Sequence, residues 1–448
     1  MARFVPIDRD TQFLFPPSVQ EWLPEDHLAR FIVDVVEQLD LSALEQSYAG
    51  RGSDAHHPTM LVALLLYGYA TGTFSSRALE RASYDSIAFR FISANTHPDH
   101  DTINSFRKRF LKEIAAIFVQ VLGYAQALGM LKLGTVSLDG TKVHANASRH
   151  SAMSYGYAKK LQAKLKREVA ALMKQAEAVN ARDLVDGLSL PEEIARREQR
   201  LAAIAEAKKK IEARAKAEAE AAHAAKLAAR DQRAKKTGKP PRGRAPKPPA
   251  GTPSDKDQVN FTDEDSRIMP VPGGGFEQAY NAQAAVDADS LLVVAPALTQ
   301  AANDKQQVLP MLAQLQALPE ELGRVKTLIA DSGYASEDNV NACVEAKVCP
   351  LIALGRESHH PSPSERFGEP PPLQGKPTAM EAMRHRLQTR RGRELYALRK
   401  CTVEPVFGLI KRAMKFRQFS LRGMTGARGE WSLVCLAWNV KRMNALFA

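Results

Sequence analysis

Three acidic side chains stand where an α/β chain gathers chemistry: Asp139 in VSLDGTKV, Asp331 in LIADSGYAS and Glu404 in KCTVEPVFGLIKR. Each aspartate follows a run of apolar and β-branched residues that reads as a strand, so each carboxylate is expected at a strand's carboxyl end. Ligand-binding groups in α/β sheets converge on the crevice at such ends. The glutamate opens a helical segment and is expected to reach into the same crevice. Carboxylate oxygens are hard donors that suit Mg²⁺, with Mn²⁺ as a substitute. Two such ions about 3.5 to 4 Å apart bind the attacking and the leaving oxygen of an in-line phosphodiester displacement. An Asp near a Gly is also a common turn former. The joint placement of the three acids, and no one of them, therefore points to chemistry.

The elements that must position these residues follow from periodicity. Residues 1–130 read as a helical domain, because apolar residues recur at helical spacing in MLVALLLYGYATG and in INSFRKRFLKEIAAIFVQVLGYAQALG. The turn-rich SANTHPDHD separates two of its helices, with Asp101 expected to cap the second. That second helix begins with Thr102, Asn104, Ser105, Arg107, Lys108 and Arg109, and a short helix, a turn and a basic helix form a shape that docks in a DNA major groove. An amphipathic helix with a solvated basic face has the same composition. A β-branched run opens the first part of a catalytic domain at 131–157. Residues 158–257 are rich in Ala, Lys, Glu and Arg and read as a helical insertion of two long helices, broken at DGLSLPEE and followed by the basic linker KKTGKPPRGRAPKPPAGTP. The catalytic domain resumes at 258–448, with two strands joined by a turn at 287–290, a helix at 304–318, the strand that carries Asp331, a helix at 336–347, the strand VCPLIAL, a loop at 355–380, and helices at 381–400, 405–415 and 427–447. In the last helix Trp431, Val434, Cys435 and Trp438 share one face, as core residues do.

The chain has 448 residues, 44% of them hydrophobic and 25% charged, which accommodates two or three domains with a real core and excludes wholesale disorder. Its net charge of +12 suits a polyanionic partner. Residues 381–448 alone hold 15 Lys and Arg against 4 Asp and Glu, so the electropositive part is C-terminal. Cys343, Cys349, Cys401 and Cys435 show neither zinc-knuckle nor disulfide spacing. No apolar run reaches the roughly 20 residues of a membrane span, and the opening residues lack a signal-peptide core, so a soluble, cytoplasmic location is expected.

The segments VSLDGTKV, AYNAQAAVD, LIADSGYAS and YALRKCTVEPVFGLIKRAMKFRQFSLRG, with Trp438, Asn439 and Arg442 in a C-terminal helix, resemble the DDE transposases of bacterial insertion sequences. The resemblance covers most of 55–150 and 258–448. It implies an α/β RNase H-like catalytic domain, a mixed sheet flanked by helices, beside the all-α N-terminal domain and the helical insertion. It also implies that Asp139, Asp331 and Glu404 are the catalytic, metal-binding triad, holding two Mg²⁺ ions. Many members carry Tyr, two residues, Arg, three residues, Glu, six residues, Lys. Here Tyr396, Arg399, Glu404 and Lys411 follow that pattern except that four residues separate Arg399 from Glu404, and Lys400 has the three-residue spacing. Arg412 and Lys415 extend the basic run, and Tyr334 beside Asp331 fits two readings, a ring that stacks on a base or holds a phosphate and a half-buried packing residue after a strand.

The function implied is a transposase that binds terminal inverted repeats, cuts at the ends and joins the freed 3′-OH to target DNA. Its partner would be double-stranded DNA, bound by a homodimer or larger assembly in the bacterial nucleoid. Two other readings fit parts of the sequence: a DNA-binding regulator or relic without catalysis, and an RNase H-fold nuclease that only hydrolyses.

Overall fold

A computed structural model of the chain describes residues 18–48, 55–148, 152–178, 190–237, 244, 246–247, 251–271, 274–355 and 368–447. The described residues form two compact units, one drawn from Met1–Ala145 with Ala279–Ala448, the other from Asn146–Gln278.

In the first unit, the N-terminal helices, apart from the single turn Ser42–Glu45, are α1 (Leu28–Glu37), α2 (Pro58–Thr71), α3 (Ser76–Asp85), α4 (Ile87–Ile92), α5 (His100–Arg109) and α6 (Leu111–Ala127). Helix α2 is apolar all round and is buried from Leu61 to Ala70, as a central helix must be. Pro58 occupies its first turn, where the missing N–H costs nothing, and Gly72 ends it at φ 87°. Helix α5 is capped by Asp99, whose carboxylate accepts the Thr102 N–H at 2.7 Å. The expected cap, Asp101, instead lies inside the first turn, since Asp99 is the residue that keeps extended backbone. After α6 the chain enters β1 (Leu133–His144).

The second unit begins with β2 (Ala152–Ser154) and two long helices, α7 (Tyr155–Ala178) and α8 (Leu190–Thr237), followed by β3 (Gln258–Asn260) and β4 (Arg267–Pro270). Strands β2 and β3 pair antiparallel. The two helices join along a narrow apolar stripe, Ala158 and Leu165 against Ile204, and Tyr155 against Ala207, Ile211 and Val259. The two expected helices are thus present. Residues 179–189 between them, and residues 238–243, 245 and 248–250 of the expected basic linker, lie outside the described residues.

The main sheet is completed by β5 (Phe276–Asp287), β6 (Val293–Thr299), β7 (Gly323–Ala330) and β8 (Cys349–Ile352); its six strands follow the order β4-β5-β1-β7-β8, with β6 pairing β5 off that path. Strands β6, β5 and β1 are antiparallel neighbours, whereas β1, β7 and β8 run parallel, so the sheet is mixed. Around it lie α9 (Val308–Gln316), α10 (Glu337–Glu345), α11 (Ala379–Gln388), α12 (Arg390–Ala397), α13 (Val403–Arg412) and α14 (Gly423–Phe447). The helix expected over 381–400 is broken because the Thr389 hydroxyl accepts the Gly392 N–H at 3.1 Å and starts α12 afresh.

Helix α14 buries Trp431, Val434, Cys435 and Trp438, as their spacing predicts. Its polar groups also stitch it to the sheet. The Trp431 indole donates to the Gln283 carbonyl at 3.0 Å, and Asn439 brackets the Val293 backbone with two bonds of 2.8 Å. Both α2 and α6 pack against α14 as well, so the N-terminal helices and the sheet share this helix as a common wall. No single helix among the described residues is long and apolar enough to cross a membrane.

Candidate active site

Strand β1 overruns the expected end of the strand at Asp139 and continues to His144. The two halves of its length have different neighbours. Its antiparallel pairing with β5 runs to His144, but its parallel pairing with β7 stops at Leu138 opposite Ala330. Asp139 and Asp331 are each the next residue after that last pair, so they sit side by side where β1 and β7 part. Beyond Ala330 the chain leaves the sheet through a 3₁₀ turn, Ser332–Tyr334, capped by Asp331 itself, whose Oδ1 accepts the Gly333 N–H at 2.8 Å. The Gly140 N–H donates to Asp139 Oδ1 at 2.7 Å.

Glu404 lies in the first turn of α13, where Pro405 also sits without breaking a helical hydrogen bond. Its carboxylate does not join the aspartate pair directly. Arg399 stands between them, with one guanidinium nitrogen 2.7 Å from Glu404 Oε1 and the other 3.5 Å from Asp139 Oδ2. Among the described residues no group of three or more His, Cys, Asp or Glu is gathered closely enough to share a metal ion. Of the two candidate bases, Arg399 is therefore the one turned inward, while Lys400 is exposed.

Burial, with smaller contributions from the neighbouring Asp331 and Asp304 carboxylates, pushes the Asp139 carboxyl up to about 6 against the pull of the Gly140 N–H and of Arg399. Lys411 is half-buried, its ammonium donating to the Thr141 hydroxyl and, at 3.0 Å, to the Lys142 carbonyl, and burial lowers its pKa. It therefore braces β1 against α13. Arg412 and Lys415 are exposed, and Tyr396 is half-buried.

Two residues read from the sequence as DNA contacts are placed otherwise. Arg107 is only 4% exposed: its guanidinium donates to the Tyr69 hydroxyl at 3.1 Å and the Phe74 carbonyl at 2.9 Å, because the helix face that looked solvated packs on α2. Lys108, one residue on, faces solvent. Tyr334 is fully buried and donates its hydroxyl to Gln283 Oε1, so its ring cannot stack on a base and its pKa is driven far up by burial. Asp304 was missed entirely. It lies in AANDKQQ after β6, a polar stretch that carries no sequence signal beyond that of a turn, yet it comes within 3.9 Å of the Lys142 ammonium.

Residues 17–109 match the family described as "Transposase domain (DUF772)", and residues 260–440 match the one described as "Transposase DDE domain". No curated protein and no solved structure matches the chain. The second match spans β5 to α14 and so contains Asp331, Arg399 and Glu404, while Asp139 is brought to them by β1 pairing between β5 and β7. The chain belongs to the DDE transposases of insertion sequences.

Proposed function

We propose that this chain binds the terminal inverted repeats of its element, cuts the DNA at their ends and transfers the freed 3′-OH into target DNA. The observation that carries this reading is the juxtaposition of Asp139 and Asp331 where β1 and β7 separate, with Glu404 linked to Asp139 through Arg399. The strand order, three antiparallel strands continued by two parallel ones, supports an RNase H-like fold for the catalytic part.

DDE transposases use divalent metal ions, and the two aspartates fit one. Both offer hard oxygen donors, and the raised pKa of Asp139 reflects a buried carboxylate that a cation would relieve. Asp139 and Asp331 would hold Mg²⁺ or Mn²⁺, with Glu404 completing a two-ion set once Arg399 releases it. When bound, such ions lower the pKa of water or of a 3′-hydroxyl and neutralise charge on the leaving oxygen. The chain's own residues supply the rest. Arg399 is tied to Asp139 and Glu404 and is within reach of a phosphate entering between them. Lys108, Lys400, Arg412 and Lys415 offer exposed cations to the DNA backbone, where each neutralised phosphate releases counterions. Lys411, on α13, holds the site's wall through its bonds to β1 rather than its opening, and Tyr396, half-buried on α12, stands three residues before Arg399. The N-terminal helices would supply recognition of the repeats, and the insertion would contact DNA or a second protomer. Coordinated cutting of two ends calls for a dimer or larger assembly.

The test is a labelled duplex carrying the element's ends, incubated with Mg²⁺ or Mn²⁺ and a target plasmid. Cutting together with joining supports the proposal. Cutting without joining would leave a hydrolytic nuclease, and binding with neither would leave a regulator.

The Asp139 pKa sets a pH dependence. Proton and cation compete for one carboxylate, so Mn²⁺ affinity is expected to fall about tenfold for each pH unit below 6. Calorimetric titrations at pH 5, 6 and 7 measure this, and a flat profile removes Asp139 from the site. Without metal the sign is opposite for stability. The folded-state pKa lies above the unfolded value, so this group destabilises the fold as pH rises through 3.8 toward 6, by about 3 kcal/mol at most.

A further inference from the structure

We propose that Asp304 is a positioning residue that locks together the two backbone segments carrying Asp139 and Asp331. The proposal rests on the strand-cleavage reading above and adds to it a residue that touches neither metal nor DNA.

Asp304 Oδ1 accepts two amide N–H bonds, from Asn281 Nδ2 and from Gln283 Nε2, both at 2.6 Å. Those two side chains stand on β5 opposite Lys142 and Gly140, the β1 residues that follow Asp139. The second hydrogen of Gln283 Nε2 goes to Asn281 Oδ1 at 3.1 Å, which leaves Gln283 Oε1 to accept the buried Tyr334 hydroxyl. Tyr334 belongs to the turn that Asp331 caps. Asn339 closes the circuit, donating to the Lys305 carbonyl and to the Tyr334 carbonyl at 2.7 Å each. Gln283, its amide held by Asp304, thus links the β1–β5 ladder directly to the turn after Asp331, and Asn339 ties that turn to Lys305, the next residue after Asp304.

Gly140 makes room for this path. A Cβ there would meet Gln283 Nε2 at 2.1 Å, Asp304 Oδ1 at 2.6 Å and Asn281 Oδ1 at 2.9 Å. Only a residue without a side chain lets the network pass directly beside Asp139. Asp304 Oδ1 anchors both amides from one oxygen, and the Lys142 ammonium lies 3.9 Å from it.

The experiment compares wild type, Asp304→Asn and Asp304→Ala for Mn²⁺ affinity by calorimetry, for cleavage of labelled ends, and for folding by circular dichroism. Asparagine keeps the accepting Oδ1, whereas alanine removes it. On protein that remains folded, Asp304→Ala is expected to lose about 10- to 100-fold in Mn²⁺ affinity and a similar factor in cleavage. Asp304→Asn should recover most of that affinity, within about tenfold of wild type. Alanine binding Mn²⁺ as tightly as wild type overturns the proposal. Asparagine as deficient as alanine also overturns it, because charge and not geometry would then be the contribution. Wild type that binds Mn²⁺ but does not cut overturns the cleavage reading alone, since positioning is still read from affinity; wild type that binds no Mn²⁺ overturns both.

Discussion

Asp331→Ala and Asp331→Asn are both expected to lose end cleavage and joining by about 10³-fold or more, while still retarding the same duplex in a binding assay. The size follows from what is removed. A carboxylate that holds a catalytic cation contributes several kcal/mol of transition-state charge stabilisation, and about 4 kcal/mol corresponds to a thousandfold in rate. Two variants are needed because Asp331 also caps the 3₁₀ turn through its Oδ1 bond to the Gly333 N–H. Asparagine keeps that bond, whereas alanine forfeits a cap worth about 1 kcal/mol. The pair therefore separates chemistry from local stability: both should be inactive, but only alanine should lower the unfolding midpoint. An Asp331→Asn protein that cuts at the wild-type rate would show that the metal lies elsewhere. DNA binding should survive in either variant, because the exposed cations at Lys400, Arg412 and Lys415 are untouched.

The second large effect concerns the fold. Glu430 on α14 is fully buried and accepts three hydrogen bonds, from the Tyr69 hydroxyl at 2.8 Å, the Ser420 N–H at 2.8 Å and the Leu421 N–H at 2.9 Å. Arg107 reaches the same Tyr69 hydroxyl, so helix α2, helix α5 and the chain before α14 all converge on one acid. Burial raises the Glu430 pKa, while its N–H donors, Tyr69 and Arg107 oppose that rise. Glu430→Ala strands three donors in a dry site and is expected to lower unfolding free energy by about 3 to 5 kcal/mol, read from the urea midpoint. Glu430→Gln keeps one accepting oxygen, but its amide cannot accept the backbone pair as well as the tyrosine, so it should fall between. A loss below about 1 kcal/mol for alanine would mean that water reaches the site and satisfies the donors.

Most residues of the candidate site were picked out by local signals. A strand is announced by an apolar, β-branched run, so both aspartates stood out at the ends of such runs, and Glu404 was marked by the helical pattern around it. The same locality explains the α14 core face, where spacing alone assigns Trp431, Val434, Cys435 and Trp438 to the interior. Arg107 and Tyr334 were misread for a single reason. Composition describes a helix or turn face in isolation, and whether that face meets solvent depends on what is packed against it.

The sequence by itself determined the candidate acidic and basic residues and most of the long helices and central strands, since these follow from residue type and short-range periodicity. Only the tertiary structure decided that β1 runs on past Asp139, that Arg399 rather than Lys400 turns inward, and that Asp304 lies within reach of Lys142. Each of those facts depends on strand pairing or loop return between residues well over a hundred positions apart, and no local pattern encodes such a distance.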